Sequence, residues 1–169
     1  MSETTEHREG SGASRLRDSK TIGEILETAT AFEKAARDFY AGLGHRVSKP
    51  LRELTRELAE EEQRHYELFK ALAAREDVLA YVGERIRTPS SDPRFCDYVH
   101  LPELGDMPDD QSILQYAMGR EQAAMEQYGE LARETPEGPL RDLFQFLAQE
   151  ELAHKGELEK RYYELVYTR

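Results

Sequence analysis

Apolar residues recur at steps of three and four along most of the chain, the spacing that puts them on one face of a helix. Ile25, Ala29, Phe32, Ala36, Phe39 and Leu43 form the first such series. Thr21 precedes it, with Glu24 three residues on, which predicts a capping box at the helix start. Gly42 and Gly44 weaken the end, and Pro50 opens the next helix in its preferred first turn. That second series runs through Leu51, Leu54, Leu58, Glu62, His65, Phe69 and Leu72, an apolar seam interrupted by one carboxylate and one imidazole. The pattern predicts continuation through Val78, Val82 and Ile86, with Gly83 its weakest point. Pro89, Pro93, Pro102 and Pro108 forbid a single regular helix between Thr88 and Asp110. A third helix starts near Asp109 or Asp110 and turns Ile113, Ala117, Glu121, Ala124, Tyr128 and Leu131 inward. After Pro136, Gly138 and Pro139, a fourth carries Leu140, Phe144, Leu147, Glu151, His154, Leu158 and Leu165. The expected fold is all-α, with a polar tail over residues 1–18 and one domain over 19–169. Within that domain a hairpin (21–87), a long crossover (88–110) and a second hairpin (111–167) make an antiparallel four-helix bundle.

The two hairpins are copies of one unit. Adding 89 maps Leu51, Leu54, Leu58, Ala59, Glu61, Glu62 and His65 onto Leu140, Leu143, Leu147, Ala148, Glu150, Glu151 and His154. Upstream, adding 88 maps Ile25, Leu26, Ala29, Glu33, Ala35, Ala36, Tyr40 and Leu43 onto Ile113, Leu114, Ala117, Glu121, Ala123, Ala124, Tyr128 and Leu131. The offset changes in the turn before Pro50 and Pro139, where a loop absorbs one residue.

Composition narrows the function. The chain has 169 residues and a formal net charge of -11, which argues against nucleic acid and anionic membrane as partners and favours cations. No apolar run reaches membrane-span length, and the N-terminus shows no hydrophobic leader. One cysteine, Cys96, excludes an intrachain disulfide framework and any four-cysteine metal site within one chain. A reducing, cytoplasmic setting is expected. Cys96 and His100 in the crossover, and His7 in the tail, read as packing or surface residues. Met118 and Met125, off the main seam of the third helix, point to a partner surface and a homodimer or larger homo-oligomer.

The chemistry sits on the buried faces. Glu62 with His65, and Glu151 with His154, are i, i+3 pairs that a helix presents on one side. Glu33 and Glu121 occupy inward positions of the other two helices. Four ionised glutamates cannot be buried together without counter-charge, and two divalent cations would balance them. Carboxylate and imidazole together suit iron, and also manganese. This ligand count, one Glu from each of two helices and a Glu-x-x-His from each of the others, is that of carboxylate-bridged bundles. Over Thr21 to Tyr167 the pattern resembles the rubrerythrin and erythrin branch of the ferritin-like superfamily.

The resemblance implies a two-iron centre. Glu62 and Glu151 would bridge the metals, Glu33 with His65 would complete one, and Glu121 with His154 the other. Tyr40 and Tyr128 would donate hydroxyl hydrogen bonds to the carboxylates. It implies a non-haem di-iron oxidoreductase that reacts with O2 or hydrogen peroxide, with a place in oxidative stress. Two departures bear on the reaction. Rubrerythrin has an extra Glu three residues after the third-helix ligand, associated with peroxide reduction, where this chain has Ala124; Glu126 should face away. The paired cysteines of a rubredoxin-like domain are absent, so electrons would come from another protein or from ferrous iron. The reading therefore leans to ferroxidase or iron handling, with peroxide reduction by an external donor and a non-catalytic iron-binding bundle as alternatives.

Overall fold

The computed structural model describes residues 18–105 and 108–168, so the tail expected over residues 1–18 lies, but for Asp18, outside the described residues. Among these residues the chain is mostly helical. The elements are β1 (Ser19–Thr21), α1 (Ile22–Gly42), α2 (Lys49–Ala73), α3 (Glu76–Leu79), β2 (Arg85–Arg87), α4 (Asp92–Asp97), α5 (Asp110–Glu134) and α6 (Pro139–Tyr167).

Helix starts follow local chemistry. Thr21 Oγ1 accepts from Glu24 N at 3.1 Å, and the Glu24 carboxylate accepts from Thr21 N at 2.8 Å, so the capping box of α1 forms in full. Asp109 caps α5 by accepting from Ser112 N at 2.9 Å. Pro50 and Pro139 sit in the first turns of α2 and α6, where a missing N–H is harmless.

One expectation fails. The second helix does not run on to Ile86; it ends at Ala73, and Ile86 lies in a strand. β2 pairs antiparallel with β1, with Lys20 opposite Ile86. Ile86 turns inward between exposed Arg85 and Arg87, a period of two, which an apolar series with gaps of four cannot distinguish from a helix. This ribbon clamps the start of α1: Ile22 N donates to Glu84 O and Gly23 N to Val82 O, both at 2.8 Å. At Gly23 a Cβ would stand 3.3 Å from Val82 O, which is why the approach is tight.

α1 packs chiefly on α2, and α5 on α6, with further contact between α2 and α6. The buried apolar side chains form two clusters. One is built around Phe32, Phe69, Phe95, Tyr128, Phe144 and Leu147, and the other around Phe39, Leu43, Leu54, Leu58, Ile113 and Leu158. Along α2, α5 and α6 the buried polar residues between the clusters are carboxylates, histidines and Arg120. The long connection after β2 is strapped to α5: Arg120 Nη1 donates to Tyr98 O at 2.9 Å, and Ser90 N to Glu130 at 2.7 Å.

Candidate metal centre

The six side chains singled out in the sequence meet in the layer between the two apolar clusters. Glu33 comes from α1, Glu62 and His65 from α2, Glu121 from α5, and Glu151 and His154 from α6. None is more than 5% exposed. They fall into two overlapping sets, Glu33, Glu62, His65 and Glu151 in one, Glu62, Glu121, Glu151 and His154 in the other. In each set the donor atoms lie within 4.8 Å of one another.

Glu62 and Glu151 are common to both sets because each turns one oxygen to each histidine. His65 Nδ1 is 3.3 Å from Glu62 Oε2 and 3.2 Å from Glu151 Oε1. His154 Nδ1 is 3.2 Å from Glu62 Oε1 and 3.1 Å from Glu151 Oε2. Glu33 Oε2 adds a third carboxylate oxygen 3.5 Å from His65 Nδ1. The imidazoles stack with centroids 5.6 Å apart.

Tyr40 and Tyr128 occupy equivalent positions in the two copies and reach across to the opposite hairpin. The Tyr40 hydroxyl donates to Glu121, and the Tyr128 hydroxyl to Glu33. Both tyrosines are buried, and burial, with the adjacent carboxylates, pushes their phenols well above the usual range, so they remain donors.

Electrostatics divides the carboxylates. Burial pushes Glu33 and Glu121 well up, and the charges of Glu62 and Glu151 push the same way. Burial also opposes charge on Glu62 and Glu151, but the two histidine rings 3.1–3.3 Å away outweigh it and hold both below the ordinary value. Burial disfavours imidazolium, yet the carboxylates prevail: His65 is raised and His154 is pushed up to about 12. Four acidic groups and two imidazoles therefore remain neutral as a whole only by holding protons.

Several buried atoms still lack partners. Glu33 Oε2, both Glu62 oxygens, His65 Nδ1 and Glu151 Oε1 make no hydrogen bond among the described residues. Buried polar atoms without partners are costly. These converge on one space, and they are carboxylate oxygens and an imidazole nitrogen, donors that fit divalent iron or manganese.

The sequence reading passed over four contributors. Glu61 and Glu150 lie just outside the cluster, with Glu61 Oε2 2.7 Å from His154 Nε2 and Glu150 Oε2 4.0 Å from His65 Nε2. Their equivalence under the duplication was the available signal. Arg120 is fully buried beside Glu121, its guanidinium over the rings of Phe32, Phe39 and Tyr98. Its place seven residues after Ile113, on the inward face, was the signal. Gln127, seven further on, donates to Asp92 at 3.0 Å. Glu126 is on the surface side, ion-paired with Arg94, and Ala124 is buried where no carboxylate reaches the cluster. Cys96 is partly buried and unpaired, and His100 is exposed.

A helical protein whose core is interrupted by inward carboxylates and imidazoles of this composition is similar to the ferritin-like class, with a carboxylate–histidine cluster able to hold metal. More particularly, the chain is rubrerythrin-like: the Rubrerythrin family model matches residues 24–98, the stretch with Glu33, Glu62 and His65. The copy carrying Glu121, Glu151 and His154 lies beyond the matched stretch and is tied to it by the duplication. A solved structure of a hypothetical protein from Pyrococcus furiosus is similar, with a TM-score of 0.65 and 25% identity over 86% of this chain and 90% of that one. No curated protein sequence matches the chain. Among the described residues no helix is long and apolar enough to cross a membrane.

Proposed function

We propose that the chain is a non-haem di-iron oxidoreductase of the ferritin-like four-helix type, which reacts with O2 or hydrogen peroxide and acts first on ferrous iron. The observation that carries this reading is the set of unpartnered carboxylate oxygens and imidazole nitrogen converging inside two overlapping donor sets. Glu33 with His65 would hold one iron, Glu121 with His154 the other, and Glu62 and Glu151 would span both. When bound, the iron pair supplies electrons to the oxidant and a fixed template for it. The chain supplies the rest. Glu62 and Glu151 present an oxygen to each side, and the Tyr40 and Tyr128 hydroxyls fix the carboxylates of Glu121 and Glu33 in orientation. Two apolar clusters above and below exclude water. Protons held by the histidines and by Glu33 and Glu121 leave as cations arrive.

Ferrous-iron oxidation is favoured over peroxide reduction because Ala124 leaves the inward face of α5 without the additional carboxylate associated with the latter. An anaerobic Fe2+ titration of metal-free protein should break at about two irons per chain. Oxygen should then generate near-ultraviolet absorption from oxidised iron. Excess Fe2+ should be oxidised over many cycles; a protein that stops after one cycle is an iron carrier and not an oxidase. Absence of binding would overturn the metal centre itself.

A further inference from the structure

We propose that Glu61, Glu150 and the outward Nε2 atoms of His65 and His154 form a loading station at the α2–α6 seam. It takes a divalent cation from solvent before the six inner groups receive it, and this rests on the metal-centre reading above.

The inner cluster uses the Nδ1 atom of each histidine, so both Nε2 atoms are turned outward. Each meets a carboxylate from the opposite helix: His154 Nε2 meets Glu61 at 2.7 Å, and His65 Nε2 stands 4.0 Å from Glu150. The helical step of about 100° per residue explains the placement, since Glu61 and Glu150 each precede an inner glutamate and emerge at the surface. Their side chains are 36% and 40% exposed, against 4% and 6% for the histidines, so the four groups run from solvent to the interior.

The two crossings differ. Glu61 to His154 is a hydrogen-bonding distance, with Arg64 3.5 Å from the other Glu61 oxygen. The 4.0 Å between Glu150 and His65 Nε2 is too long for a hydrogen bond. It matches two donors of one cation, each about 2.0–2.2 Å from the ion and so up to about 4 Å apart. The nearly buried His65 ring thus turns Nε2 toward a carboxylate across a gap of that size. One donor atom from each of His65, Glu150 and His154 lies within 4.8 Å of the others.

A neutral imidazole has one lone pair to give. A ring that binds a cation through Nδ1 carries its proton on Nε2, which on His154 faces the Glu61 carboxylate at 2.7 Å. A ring that binds through Nε2 is withheld from the inner site. The station therefore fills only while the inner set is incomplete, which makes it a relay and not a permanent third site.

The test is stopped-flow Co2+ loading of metal-free, full-length protein, followed by cobalt absorption, with final stoichiometry measured on the same samples. Wild type is compared with E61Q/E150Q and with E57Q/E157Q, which removes the same charge from exposed positions on the same two helices, about one turn from Glu61 and two turns from Glu150. E61Q/E150Q should load about tenfold more slowly and still reach wild-type stoichiometry, while the control stays within about twofold. Equal rates in E61Q/E150Q and wild type overturn the station and leave the inner centre standing. Loss of final stoichiometry in E61Q/E150Q also overturns it, because the carboxylates would then merely hold the rings. Wild type that binds no Co2+, or binds it equally after E62A/E151A, overturns the inner centre and the station together. If E61Q/E150Q lacks wild-type circular dichroism, E150Q alone reads the same rate, and a wild-type value overturns the proposal.

Discussion

Glu33 and Glu121 are held protonated by burial and by their anionic neighbours, whereas Glu62 and Glu151 are held ionised by the histidines between them. The protons of the metal-free site do what cations would otherwise do. Binding two divalent cations should release about four protons, two from the imidazoles and two from these carboxyls, so affinity should rise with pH. Titrating Co2+ into weakly buffered protein with a pH indicator measures that number. Stability follows the same groups. The folded value of His154 lies at about 12, above its ordinary 6.5, and His65 is raised too. Their contribution is complete below about pH 6.5 and is lost as pH rises toward the folded value, so metal-free protein should melt at lower temperature at pH 9 than at pH 6. Tyr40→Phe and Tyr128→Phe each remove a donor from a carboxylate; each should weaken Co2+ binding by about ten- to hundredfold in equilibrium titration with little change in fold. The duplication and the inward phase of Glu33, Glu62, His65, Glu121, Glu151 and His154 were legible in the sequence, since the face a residue occupies is set within its own helix. Which oxygen meets which nitrogen was not, because that depends on the offset between helices.

The elements differ in how far local chemistry determines them. α1 begins where Thr21 and Glu24 exchange hydrogen bonds, and both residues announce it. Thr21→Ala should lower stability by about 1 kcal/mol, read as a shift in the urea midpoint. The end of α2 is a different matter. Val78, Val82 and Ile86 keep a helical rhythm, yet the chain breaks at Ala73 and returns as β2, since three-residue strands carry too few apolar positions to register a period. The strand exists because β1 is there to pair with it, a contact between residues more than sixty apart in sequence. Arg120 makes the same point on α5. A sequence reading places an arginine at the surface, and the structure closes three aromatic rings around it because the crossover folds back over that helix. Arg120→Ala would leave a cavity and an unpaired carbonyl at Tyr98, and should destabilise by about 3 kcal/mol or more in urea unfolding.

At the scale of the whole molecule, a polar layer between two apolar clusters is a weakness that cations repair. Every long helix contributes to that layer and each donor set draws on three of them, so two ions bound there would link all four and favour the folded state over the unfolded chain, which has no such site. Saturating Co2+ should raise the melting temperature, with a gain of about 2.7 kcal/mol at a hundred times Kd. A chelator should reverse the gain, and E62A/E151A should abolish it; a shift that persists in that variant would place the binding elsewhere.

The sequence by itself determined the helices, their inward faces, the duplication and the register that sets a carboxylate and an imidazole one turn apart. These are consequences of 3.6 residues per turn and of caps that act over three residues. Only the tertiary structure decided the crosswise contacts, Tyr40 to Glu121, Tyr128 to Glu33, Glu61 to His154 and Glu150 to His65. Each joins helices whose relative slide and rotation are fixed by packing of the two apolar clusters, and no local spacing encodes that.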